Sequence, residues 1–279
     1  MNYSFSLASY LLEFIKSYST YRQGVDGIND QYLSNGNTHG YRVRLSKMLM
    51  RNQSNKLKAS FQIHHKSRKN YFESVLVETS SYKTTHVQAD LSHTKILPWG
   101  QIVTKASAYR GTRMLGARDD KYAYEESDYE RPAQYEFKKY TLNSNLHYKF
   151  NDPTYTFDTT LHIQYADDNL FSADKLSLGS DYSVRGYSGN YYGNKGWYFH
   201  NNFTKKIGNY SLYLGLDYGK MPCSYDNENA CGEMYGSGIG FRSNHKYFSS
   251  DLSVVRPLKS LSEDFEKENL FKYTFTMKF

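Results

Sequence analysis

Apolar and polar residues alternate with a period of two along most of this chain, and that alternation limits the available folds more than any other feature. The C-terminal stretch shows it most fully, with Phe271, Tyr273, Phe275, Met277 and Phe279 interleaved with Lys272, Thr274, Thr276 and Lys278. Such a stretch is a strand with one apolar and one polar face; a helix would need apolar spacings of three and four. The pattern recurs where Leu57, Ala59, Phe61 and Ile63 alternate with Lys56, Lys58, Ser60, Gln62 and His64. Val87, Ala89 and Leu91 alternate with His86, Gln88, Asp90 and Ser92, and Leu142, Leu146 and Tyr148 with Asn143, Asn145 and His147. Tyr155, Phe157, Leu161 and Ile163 alternate with Thr156, Asp158, Thr160 and His162, and Leu212, Leu214, Leu216 and Tyr218 with Tyr213, Gly215, Asp217 and Gly219. Each run is about 9–12 residues, the length of a tilted membrane-crossing strand. A soluble sandwich also alternates, but lysines at both ends of an inward row fit a water-filled lumen.

Twelve strands are expected, centred near residues 8, 45, 60, 89, 105, 146, 160, 200, 214, 239, 252 and 275. Long connections over 15–40, 65–84, 111–138, 167–195, 220–234 and 257–269 alternate with short ones near Asn52, Pro98, Asp152, Ile207 and Asn244. Long loops on one side and short turns on the other mark bacterial outer-membrane barrels, and this count places both termini on the periplasmic side. The expected fold is therefore an all-β, antiparallel transmembrane β-barrel. Composition agrees. A mean hydropathy of −0.76 is too polar for a helical membrane protein, but every second residue of a barrel faces a wet lumen. The 29 tyrosines suit water–lipid boundaries, where an apolar ring with a polar tip is favoured.

The net charge of +7 comes from basic residues spread along the whole chain, and no nucleic-acid motif accompanies it. Cys223 and Cys231 stand in a polar stretch and are expected to close a loop as a disulfide, since C-x7-C has no zinc-site spacing. His64, His86, His147 and His162 fall on lumen faces of different strands and read as pore lining, not as a metal site. No cofactor is implied. Ser6 to Ile15 is modestly apolar, but no basic segment precedes it and Glu13 interrupts it, so it does not read as a secretory signal.

The richest segment is Leu176–Phe203, with Gly179, Gly186, Gly189, Gly193 and Gly196 around a central Val184-Arg185-Gly186-Tyr187. Leu178-Gly179 and Tyr182-Ser183-Val184-Arg185-Gly186-Tyr187, followed by Lys195-Gly196-Trp197-Tyr198, resemble the lid loop of the ShlB/FhaC/HecB hemolysin secretion/activation family. These are the TpsB transporters of two-partner (type Vb) secretion, in the superfamily of the BamA barrel-assembly proteins. Ser19-Thr20-Tyr21-Arg22-Gln23-Gly24-Val25-Asp26-Gly27, Arg68-Lys69-Asn70-Tyr71 and Leu214-Gly215-Leu216-Asp217-Tyr218-Gly219 are similar too, so the resemblance covers nearly the whole chain. It implies a sixteen-stranded outer-membrane barrel fed by two POTRA domains, with residues 1–279 as its C-terminal portion and the signal peptide, POTRA domains and first strands absent. It implies that the loop Arg, here Arg185, pairs with a wall Asp, here Asp217, in a motif that includes Gly219. The alternation independently puts Asp217 on the lumen face. Gly215 stands where the family often has Phe, which is expected to weaken packing around the pair. A closing strand that ends in Phe279 fits the assembly signal of outer-membrane barrels. The implied partners are a secreted TpsA-type exoprotein, outer-membrane lipid and lipopolysaccharide, and the barrel-assembly machinery.

Two other functions are weighed. Tyr32-Leu33-Ser34-Asn35-Gly36 resembles the His-x-Ser-Asn-Gly motif of outer-membrane phospholipase, but Tyr32 replaces the histidine, so no general base stands two residues before Ser34. A Ser-Asn-Gly turn in a polar loop is the expected alternative. A passive porin would use Arg42, Arg44, Lys56, Lys58, Lys272 and Lys278 as an anion path, but it leaves the glycine-rich loop unexplained.

Overall fold

The computed structural model describes residues 1–7, 9–26, 31–121, 132–187, 191–222, 232–259 and 268–278. In chain order the strands are β1 (Asn2–Leu7), β2 (Tyr10–Asp26), β3 (Gln31–Arg51), β4 (Asn55–Phe72), β5 (Val75–Leu76), β6 (Tyr82–Leu97), β7 (Gly100–Thr112) and β8 (Lys138–Lys149). They continue with β9 (Tyr155–Tyr165), β10 (Leu176–Leu178), β11 (Tyr191–Gly193), β12 (Gly196–Ile207), β13 (Tyr210–Met221), β14 (Gly232–Asn244), β15 (Phe248–Pro257) and β16 (Leu270–Met277). Fourteen form one antiparallel wall, in which the long strands pair in the order β1-β2-β3-β4-β6-β7-β8-β9-β12-β13-β14-β15-β16 and β5 adds to β4. The other two, β10 and β11, pair with each other at the base of the glycine-rich loop.

Among the described residues the path along the wall thus has thirteen strands, not twelve. The strand expected near residue 8 is a hairpin, because the chain reverses between Leu7 and Tyr10. This also moves the amino end. Asn2 pairs with Ile15 about a third of the way up β2, whereas Met277 pairs with Phe248 at the short-turn rim, so only the carboxyl end lies where both termini were expected. The expected long loops over 15–40 and 65–84 are mostly strand. At about 3.3 Å per residue, the 21 residues of β3 run about 70 Å, whereas a ~30 Å core crossed at ~45° takes about 42 Å. The short turns near Asn52 and Pro98 align along one rim, so the excess length of β2, β3 and β4 projects from the other.

The outward face has a vertical order that β13 shows directly. Tyr210, Leu212, Leu214, Leu216 and Tyr218 all point outward, with Leu214 at 48% exposure. The eight-residue step from Tyr210 to Tyr218 is about 27 Å long and at ~45° rises about 19 Å, most of the ~25 Å apolar band of a membrane barrel. Aromatic rings mark both boundaries. Along the short-turn rim Trp99 meets Tyr148 at 5.1 Å and Tyr148 meets Phe150 at 4.8 Å, and Phe150 reaches from the rim to Phe203 at 5.7 Å. Towards the long-loop rim Trp197 meets Tyr218 at 5.0 Å and Tyr218 meets Tyr235 at 4.7 Å. Rings with polar tips are favoured at such boundaries.

The inward face is polar and paired across strands. His147 lies 2.6 Å from Asp158, His162 lies 2.6 Å from Asn143, and the Ser107 hydroxyl donates to Asp90 at 2.6 Å. The rings of His64 and His86 are 5.0 Å apart. No group of three or more metal-ligating side chains occurs among the described residues. Arg44 donates to Gln62 at 2.8 Å and lies 3.7 Å from Glu13, so part of the expected cationic lining is held by its own counter-groups.

Ser34 lies inside β3, paired with Gln23 and Phe72, and so is not in a turn or loop. The strands simply continue past the apolar band, so a polar sequence there does not mean a loop.

Candidate functional site

The glycine-rich loop leaves the wall after β9 and returns as β12, and its described centre packs against the inner side of β12–β15. Leu176, Leu178, Val184 and Tyr187 form a buried cluster with Met221 of β13 and Met234 of β14. Its seat is made of absent side chains. A Cβ on Gly219 would meet Val184 and Leu178, one on Gly236 would meet the Arg185 backbone, and one on Gly238 would meet Arg185 Cδ. Gly186 has φ +96°, a conformation L side chains rarely adopt, and its α-carbon lies against the Arg256–Pro257 backbone.

Arg185 and Asp217 lie in contact, and both are buried, with side-chain exposures of 5% and 0%. Arg185 Nε donates to Asp217 Oδ2 at 2.6 Å and Nη2 to Oδ1 at 3.0 Å, a bidentate pair. The Arg185 backbone N–H donates to the same Oδ2 at 3.0 Å, so one carboxylate fixes main chain and side chain together. Nη1 donates to Asn202 Oδ1 at 3.0 Å, and Nη2 also reaches Asn201 O at 3.1 Å. A buried charge is tolerable only when it is paired and hydrogen-bonded in this way.

His200 completes the network. Its Nδ1 faces two acceptors, Asp217 Oδ1 at 3.1 Å and Ser183 O at 3.3 Å, and also lies 3.2 Å from Arg185 Nη2. Its Nε2 faces two donors, Arg185 Nη2 at 3.1 Å and Asn202 Nδ2 at 3.2 Å. The arrangement is satisfied by the tautomer that carries its hydrogen on Nδ1. Asn202 is then oriented at both ends, accepting from the guanidinium and donating to the ring.

The wall itself is altered behind this network. β12 and β13 pair at Phe199↔Tyr218 and Asn202↔Gly215 in one register, but the two intervening pairs are missing. There Asn201 N–H donates to Asp217 Oδ1 at 3.1 Å, and Asn201 Nδ2 donates to Leu216 O at 2.6 Å. A side-chain carboxylate has taken the place of a ladder carbonyl.

Tyr187 anchors the far side of the loop. Its hydroxyl donates to Lys259 O at 2.9 Å and accepts from Tyr235 N–H at 3.2 Å, and burial pushes its pKa up to about 12, which keeps it a donor. Asp181 pairs with Lys272 of β16, tying the loop to the last strand.

Gly215 needs a correction. The guanidinium of Arg185 lies where a Cβ at position 215 would stand. The missing side chain does not loosen the pair; it provides the surface on which the guanidinium lies. His200, Asn202, Gly236 and Gly238 were not anticipated as site residues. Alternation already places His200 and Asn202 on the same face, but only the strand register brings them beside Asp217. Cys223, Cys231 and Phe279 lie outside the described residues. Ser34 has no hydrogen bond to a histidine among the described residues.

A family model for the haemolysin secretion/activation protein ShlB/FhaC/HecB matches residues 1–243. The chain belongs to that family. Relatives include the outer membrane transporter CdiB of Dickeya dadantii, 26% identical over 250 residues covering 87% of this chain and 44% of the relative. The hemolysin transporter protein ShlB of Serratia marcescens is 28% identical over 261 residues, covering 91% of this chain and 45% of the relative. The chain therefore spans less than half the length of these two family members. Among solved structures, CdiB from Escherichia coli superposes with a TM-score of 0.87 at 22% identity, over 98% of this chain and 51% of that one. BamA from Haemophilus ducreyi, lacking POTRA domains 1–3, superposes with a TM-score of 0.65 at 12% identity, covering 99% of this chain and 61% of that one. The fold of this family member is thus the antiparallel outer-membrane β-barrel wall.

Proposed function

We propose that this chain forms the pore wall and lid loop of a two-partner secretion transporter, which passes a large secreted exoprotein of TpsA type across the outer membrane. The observation that carries the proposal is the loop itself. It is pinned to the inner wall through Arg185 and Asp217, so that whatever moves this pair changes the lumen a polypeptide would cross. A passive porin has no use for a loop held by one buried carboxylate that binds both its backbone and its side chain. The relatives named as transporters support a non-enzymatic role.

The same proposal makes residues 1–279 the C-terminal barrel portion of a transporter that also carries periplasmic POTRA domains. Outer-membrane lipid and lipopolysaccharide surround the apolar band, and the barrel-assembly machinery inserts the wall. Arg185→Ala in the transporter tests the central step. It is expected to lower the amount of exoprotein in the medium about tenfold or more while the barrel level in the outer membrane falls less, since losing one partner of a buried pair costs about 3–5 kcal/mol. Unchanged secretion would remove Arg185 from the mechanism.

A further inference from the structure

We propose that the wall site around Asp217 is a receptor for the guanidinium group as such, with His200, Asn202 and Gly215 as the residues that make it selective. When Arg185 is not in it, the site takes another guanidinium, including an arginine side chain of a polypeptide in the lumen. The last clause rests on the transport function proposed above; the selectivity does not.

The site offers at least one acceptor to each nitrogen of the ligand. A guanidinium is planar and carries its five N–H groups in a fixed fork, whereas an ammonium is a compact charge with no plane. Asp217 accepts from Nε and Nη2, Asn202 Oδ1 from Nη1, and Asn201 O and His200 Nε2 lie within reach of Nη2. These acceptors come from two strands and converge around one plane. Gly215 contributes flatness. Its absent Cβ would coincide with Nη1 and Cζ, so any larger residue would fill the plane that the guanidinium occupies.

The acceptors are themselves held. With its hydrogen on Nδ1, His200 serves Asp217 and Ser183 and leaves Nε2 as an acceptor, and Asn202 donates to that ring and so keeps its oxygen towards Nη1. An ammonium at the same place would reach the carboxylate but could not also satisfy Asn202, Asn201 and His200. Hydrogen bonds to charged groups left unmade in a buried site cost at least about a tenfold loss of occupancy each. His200 and Asn202 thus touch the guanidinium directly and also hold each other in place.

Conductance of the whole transporter in planar bilayers gives the test, with assembly of each variant checked by heat-modifiable migration. Arg185→Ala vacates the site and frees the loop, so conductance rises. Methylguanidinium at millimolar concentration is then expected to change the current through Arg185→Ala at a concentration about tenfold lower than methylammonium does at equal ionic strength. Adding Gly215→Val to Arg185→Ala is expected to abolish the difference between the two ions. Arg185→Lys should conduct like Arg185→Ala, and Asn202→Leu with Arg185 intact should raise conductance as well, which keeps the proposal testable if Arg185→Ala fails to assemble. Equal action of the two ions, wild-type conductance in Arg185→Lys, or wild-type conductance in Asn202→Leu would overturn it. Secretion is not an input to this experiment, so a failed transport function and a failed guanidinium site give separate results.

Discussion

At the scale of single residues, the loop is held by two anchors of different strength. Asp217 receives the Arg185 backbone N–H, two guanidinium bonds, the His200 ring and the Asn201 N–H. Tyr187 makes neutral hydrogen bonds to the backbone of Tyr235 and Lys259. Bonds to charged groups are worth about twice as much as neutral ones. Tyr187→Phe is therefore expected to loosen the loop by about 1–2 kcal/mol, an effect smaller than that of Arg185→Ala. Limited proteolysis of the barrel in detergent checks this. Cleavage in the loop should be fastest in Arg185→Ala, intermediate in Tyr187→Phe and slowest in wild type, and a reversed order would mean that the tyrosine is the main anchor.

At the scale of strands, the lipid face and the lumen face should respond differently to charge. Leu214 sits midway between the aromatic residues Tyr210 and Tyr218, so Leu214→Arg is expected to cost about 2–4 kcal/mol of stability in liposomes. Thr276→Lys, on the inward side of β16 between Lys272 and Lys278, should stay within about 0.5 kcal/mol of wild type. Equal losses would contradict the assigned faces. The strands within the apolar band could be read from sequence because lipid and lumen impose opposite polarity on alternate residues. β2 and β3 could not be read over their full length, since beyond the band both faces meet water and the two tyrosines of Ser17–Gln23, Tyr18 and Tyr21, stand three apart, out of the period of two. The turn between Leu7 and Tyr10 escaped notice for a different reason. It has no Gly, Pro, Asn or Asp, so the flanking apolar residues read as one strand. In the site, Asp217 was identifiable from parity and from the family motif, but the glycine seat and His200 depend on which strand lies beside which, and that pairing is not local in sequence.

At the scale of the whole molecule, the described residues form a path of thirteen strands, and among them no pairing joins β1 to β16. With the chain spanning 44–45% of two relatives, the proposed transporter should appear in isolated outer membranes as a product of roughly twice the mass of this chain, with peptides upstream of Met1. A native product that begins at Met1 would contradict that part of the proposal. The central claim is that Arg185 and Asp217 act as one device that sets the loop for passage. A double-mutant cycle on exoprotein secretion tests it most directly, using Arg185→Ala, Asp217→Ala and both together at matched barrel levels. If the pair acts as one device, the double variant will secrete no less than the weaker single variant, with an interaction energy of about 2–3 kcal/mol. Additive losses would show that the two residues act separately, and the claim would fail.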